Sequence, residues 1–166
     1  MKIPNHLKHK AVIVAEDYDR IDGPYAGDTD AQGLSLGLAQ WNDRGKVDIS
    51  AKVWRHTGWG DEEGKWSRQS EELPLHRVLD LALLICKAKK HLREAYRLEK
   101  LYDPENPTIG KIELQGGSME VTVNTANERI DDDIRLFRDC LNSEDERISE
   151  RLRRLAHELK ELGYEA

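Results

Sequence analysis

Two periodicities divide the chain. Apolar residues alternate through much of the first half, and they recur at steps of three and four through the rest. Residues 11–15 (AVIVA) form a continuous apolar run, which predicts a short buried strand. An aperiodic, turn-rich stretch occupies 16–33. Residues 34–42 (LSLGLAQWN) then set Leu34, Leu36 and Leu38 against Ser35, Gly37 and Ala39. The leucine face is expected to meet the core, and the small face to let another element approach the backbone closely. Asp43-Arg44-Gly45 reads as a turn. In residues 47–54 (VDISAKVW), Val47, Ile49, Ala51 and Val53 point one way and complete a hairpin. A glycine-rich tip (57–64) and a third strand, KWSRQ (65–69), follow.

A long helix is predicted to start near Pro74, because proline suits the first helical position and the residue before it avoids helix. From Leu75 to Cys86 this helix is apolar nearly all round, as a central buried helix would be. It then becomes one-sided toward Leu101 and ends before Asp103-Pro104. In KIELQGGSMEVTV (111–123), a two-residue Gly116-Gly117 loop would place Leu114 opposite Met119, Ile112 opposite Val121 and Glu113 opposite Glu120. Two capping boxes, Thr125…Glu128 and Ser143…Glu146, precede helices whose apolar seam includes Ile130, Ile134, Phe137, Leu152, Leu155 and Leu159, with Gly163 as the stop. The fold class that follows is α+β in a single domain, 1–166. An antiparallel sheet packed on a central helix occupies 1–123, and a C-terminal helical hairpin occupies 124–166. Surplus apolar surface along that seam would favour a homodimer.

Composition narrows the partners. A net charge of −6 and 35% charged residues argue against a nucleic-acid binder, which normally shows a basic footprint. The basic runs KAKKHLR (87–93) and RISERLRR (147–154) alternate with acids and read as solvated helix faces. VLDLALLIC is too short for a membrane helix and contains Asp80. Cys86 and Cys140 lie far apart in helical patterns, so reduced thiols and a cytoplasmic location are expected. The aspartates of EDYDRIDG fail the calcium-loop spacing, and Glu113 with Glu120 read as exposed strand residues; no metal or cofactor is expected.

The candidate chemistry gathers in WSRQSEELPLHR (66–77), just ahead of the apolar helix. A helix start beside cationic side chains is a natural anion site, which nominates Arg55, Arg68, Ser70, His76 and Arg77 as a converging ligand-binding cluster. Glu71 and Glu72 argue the other way, since they would repel an anion and could pair with the arginines in an internal ion network. Asp80 shares a helix face with His76 and Arg77 and needs a partner. Trp54 and Trp59 could stack on a base or a partner protein. No nucleophile elbow surrounds any serine, so no catalytic residue is assigned.

The line WSRQSEELPLHRVLDLALLIC, with LSLGLAQW and SAKVWRHTG upstream, resembles an uncharacterised family of small bacterial proteins over roughly the first 90 residues. That resemblance implies no activity. The expected function is a small soluble binding protein that captures an anionic or nucleotide-like ligand, or a protein partner. The alternative is a hydrolase acting on a phosphoester or amide through His76 and nearby carboxylates.

Overall fold

The computed structural model describes residues 3–4, 7–43, 49–58, 64–67 and 71–164. The fold is α+β, with antiparallel strands and three helices. The chain forms two compact units, Met1–Ala82 and Leu83–Ala166. The boundary falls inside the long helix.

In the first unit, strands β1 (Lys10–Glu16), β2 (Ala31–Leu38), β3 (Ile49–Thr57) and β4 (Lys65–Trp66) pair in sequence order, and β5 (Glu72–Pro74) also pairs with β3. Every pairing is antiparallel. Leu34 faces Val53 and Leu36 faces Ala51 across β2 and β3, so the aliphatic rows share one face as their alternation predicts.

That face is not the buried one. Leu36 is 44% exposed and Leu38 40%, whereas Ala31, Ser35 and Ala39 on the opposite face are buried. The small residues are what let the other side be covered. The N-terminal segment approaches β2 so closely that a Cβ on Gly33 would lie 2.9 Å from Ile3 Cδ1. The Ile3 backbone N–H donates to Glu16 Oε1, and His9 is fully buried. Trp54, which the sequence offered for stacking on a base or a partner protein, is also fully buried on this side. A leucine row there would leave no room for an indole and a second chain segment. Strand β1 is likewise open, not buried: Val12, Ile13 and Val14 are 67%, 62% and 50% exposed.

Helix α1 (Leu75–Glu94) begins one residue after Pro74, without a linker. It passes into a 3-10 turn at Ala95–Arg97, short of Leu101. It contains no buried residue, and Leu79 and Ile85 are 61% and 47% exposed. Its apolar girth therefore does not mark a helix sealed within this chain.

The second unit holds β6 (Thr108–Leu114), β7 (Gly117–Thr122), α2 (Ile130–Ser143) and α3 (Asp145–Glu161). The hairpin turns at Gln115-Gly116, one residue earlier than expected. It places Ile112 opposite Met119 and Lys111 opposite Glu120. The like-charge opposition of Glu113 and Glu120 is thereby exchanged for an oppositely charged pair, and the two-residue shift keeps every side chain on its predicted face. Ala95, Leu101, Tyr102, Val123 and Ile134 form the core of this unit. Neither capping box forms: α2 and α3 start at Arg129 and Glu144 with no side-chain cap. Acidic first turns, Asp131–Asp133 and Asp145–Glu146, complement the helix dipoles instead. The stop at Gly163 is as predicted. Its φ of +83° lets its N–H reach the Lys160 carbonyl while that of Tyr164 reaches Leu159. Along the expected seam Ile134 is buried, but Phe137 and Leu155 are 54% and 41% exposed.

Candidate functional site

Beneath the N-terminal segment lies a buried polar network that connects β2, β3 and β5. Alternation along β3 sends Ser50, Lys52 and Trp54 to the covered face, and Glu72 reaches the same space from β5. His9 stands at the centre. Its Nδ1 lies 2.9 Å from Glu72 Oε1 and its Nε2 lies 2.9 Å from Ser35 Oγ. Ser50 donates to Glu72 Oε1 at 2.6 Å, and the Gln40 backbone N–H donates to the same oxygen at 3.0 Å. The Trp54 indole N–H donates to Ser35 Oγ at 2.7 Å. A proton on His9 Nδ1 satisfies this geometry: the ring donates to Glu72, and Nε2 accepts from the Ser35 hydroxyl. Trp54 packs edge-on against His9, with ring centroids 5.7 Å apart.

The network carries charge into the interior. The side chains of His9, Glu72 and Lys52 are 0%, 1% and 5% exposed. Burial, the largest single influence on Glu72, pushes its carboxyl up. The hydrogen bonds from Ser50, His9 and Gln40 outweigh it and hold the group below the ordinary glutamate value. Lys52 Nζ sits 3.7 Å from Glu72 Oε2 and 4.5 Å from the centre of the Trp54 ring. Among the described residues Glu72 Oε2 itself has no hydrogen-bond partner, although it is buried. The carboxylate is thus anchored through one oxygen and balanced by charge at the other.

None of this cluster was nominated from sequence. His9 sits in a polar N-terminal stretch without periodicity. The Ser50-Ala51-Lys52 alternation has the appearance of a half-solvated strand, because only tertiary structure tells which face is covered.

The nominated residues are arranged differently. Arg55 is held between two carboxylates, Asp30 at 2.5 Å and Glu71 at 2.5 Å. The hydrogen bonds it donates to Glu71 and then Asp30 raise its pKa further above the neutral range, so it stays charged. The Arg55 guanidinium in turn lowers the pKa of Glu71. This is an internal ion pair of the kind that Glu71 and Glu72 made the competing expectation. Its exact partners differ, since Glu72 turns inward to His9. His76 and Arg77 are exposed in the first turn of α1 and, like Asp80, make no side-chain hydrogen bond or ion pair among the described residues. Arg68, Ser70 and Trp59 lie outside the described residues. His56, beside Arg55, stacks edge-on against Trp66 at 5.2 Å.

Two grooves adjoin the network within the same unit. On the uncovered side of the sheet, a groove of about 470 Å³ is lined by Ile13, Leu34, Leu36, Ala51, Val53 and Leu73, among others. At the other, a polar groove of about 510 Å³ runs between Lys8, Lys10, Gln40 and Asn42. Among the described residues no cluster of His, Cys, Asp and Glu could hold a metal ion. No helix among them is long and apolar enough to cross a membrane.

No curated protein and no solved structure matches the chain. A family model matches residues 1–164, well past the first 90 or so to which the sequence resemblance extends and through the whole helical tail. The chain, from its N-terminal strap to the end of its last helix, belongs to the family of unknown function DUF6530.

Proposed function

We propose that this chain is a binding module whose leucine face captures the aliphatic side of a partner protein's amphipathic helix. The observation that carries this reading is the open apolar groove across β1, β2, β3 and β5, on a sheet whose other face is already covered. Contiguous exposed aliphatic surface of this kind marks an interaction site. Four strands span about 14 Å, which accommodates a helix about 10 Å wide. The chain's net charge of −6 and Glu71 at the groove favour a helix with basic flanks. Arg55, one of the cations nominated for an anionic ligand, is already bracketed by Asp30 and Glu71.

The test is Leu36→Asp. The variant should stay folded, with a stability change within about 0.5 kcal/mol as expected for a surface site. It should also lose affinity for a synthetic Leu/Lys amphipathic helical peptide that binds the unaltered chain. Titration with ATP should produce no binding heat. If Leu36→Asp unfolds the chain, the leucine face is core and the reading fails. If ATP binds and Arg55→Ala abolishes that binding, the anionic-ligand reading replaces it.

A specific arrangement favours hydrolysis as a second reading. Ser35, His9 and Glu72 have the nucleophile–imidazole–carboxylate connectivity of a hydrolytic triad. Ser35 is only 4% exposed and already accepts the Trp54 N–H, so attack on a substrate would require the N-terminal segment to lift. Labelling of Ser35 by a fluorophosphonate probe, absent in Ser35→Ala, would support this alternative.

A further inference from the structure

Strand β1 is an edge strand: it pairs with β2 on one side and with no strand on the other among the described residues. An exposed hydrophobic edge is a template for another strand, and proteins usually guard it with proline or charges within the strand. Residues 11–15 of β1 contain neither, and the guard the strand does carry is the β-bulge between Ala11 and Ile13. Its charges stand only at the ends, Lys10 and Glu16, both exposed. Between them Val12, Ile13 and Val14 are half exposed or more.

The sequence of this strand, KAVIVAE, reads the same in both directions except at its ends, where it has opposite charges. From this we propose that two copies of the chain associate through β1, paired antiparallel about Ile13 and its symmetry mate. That register sets Val12 against Val14, Ala11 against Ala15, and Lys10 against Glu16, twice by symmetry. A two-fold axis requires such self-complementarity. A parallel pairing would instead oppose Lys10 to Lys10 and Glu16 to Glu16. The pairing must accommodate the β-bulge between Ala11 and Ile13, which leaves Val12 the most exposed residue of the three. On either side of the axis the regular stretch Ile13–Glu16 of one copy lies against Lys10–Ile13 of the other, the stretch that carries the bulge. The occupant is a second copy of this chain, seated on the backbone edge of β1; Ile13, at the axis, also lines the leucine groove.

Charge exchange tests the register. Light scattering on the full chain should give twice the 19.1 kDa mass. Lys10→Glu alone, or Glu16→Lys alone, opposes like charges at both ends and should weaken dimerisation by roughly ten- to a hundredfold. An equimolar mixture of the two variants restores both ion pairs and should dimerise again, as should the double variant. Hydrogen exchange should show β1 amides protected at high concentration and less so on dilution. A monomeric mass up to millimolar concentration overturns the proposal. So does a dimer with β1 amides that remain unprotected, or one insensitive to either charge change. If a variant misfolds, the exchange measurement on the unaltered chain still decides.

Discussion

Removing Glu72 should reveal how much the buried network holds the first unit together. Glu72→Ala deletes the acceptor shared by His9, Ser50 and the Gln40 backbone N–H, and leaves Lys52 buried beside an indole with no carboxylate. Breaking a buried ion pair from one side costs about 3–5 kcal/mol, because the remaining charge stays desolvated. At roughly 2–4 °C per kcal/mol for a chain of this size, the melting temperature of the unit should fall by about 6–20 °C. All four tryptophans lie in the first 66 residues, so intrinsic fluorescence follows this unit selectively. Trp54 is in contact with His9 and Ser35 and so reports the network itself. Acid dependence sharpens the test. Glu72 titrates below its ordinary value of 4.5 in the folded chain. Its contribution is therefore fully present above pH 4.5 and is lost as the pH falls through the lower, folded value. Glu71, Asp131 and Asp145 are lowered too, so the chain as a whole loses stability in acid. The informative quantity is the difference between the unaltered chain and Glu72→Gln, which keeps the shape and removes the charge. That difference should shrink on going below pH 4.5. A fluorescence melt of Glu72→Ala within 1 °C or so of the unaltered chain would refute the reasoning, as would a difference curve that is flat with pH.

Two further substitutions probe packing. Gly33→Ala puts a Cβ 2.9 Å from Ile3 Cδ1 and 3.2 Å from the Ala15 carbonyl oxygen, and overpacking of this kind costs about 1–3 kcal/mol. Limited proteolysis should then cut earlier near the N terminus, and an unchanged digestion pattern would show that the strap does not depend on Gly33. Leu155→Ala removes a side chain that is 41% exposed, so the loss should be about 1–2 kcal/mol, below the 2–5 kcal/mol or so of a fully buried leucine. A loss above that range in a urea titration would mean that the seam is covered in solution.

Periodicity specified the kind and order of most elements, though not the short strand β5. Alternation in LSLGLAQW and ISAKVW dictates strands, and the face each side chain shares with its neighbours follows from a period of two. Gly163 ends α3 because a left-handed residue closes the last turn, a local requirement that sequence states directly. What alternation cannot say is which face is covered. Both faces of β2 and β3 are internally consistent, and the choice went to the small, polar one because only there could Ile3, His9 and Trp54 fit. The turn of the β6–β7 hairpin was decided across strands, where Lys111 opposite Glu120 displaced a like-charge register of the same parity. The site was hidden for the same reason. His9, Ser35, Ser50 and Glu72 come from four separate stretches, and a hydrogen-bond network between residues as much as 63 positions apart has no periodic signature. Arg55 was nominated from sequence for an anionic ligand, whereas its nearness to Asp30 and Glu71, 2.5 Å each, is a distance that only the folded chain provides.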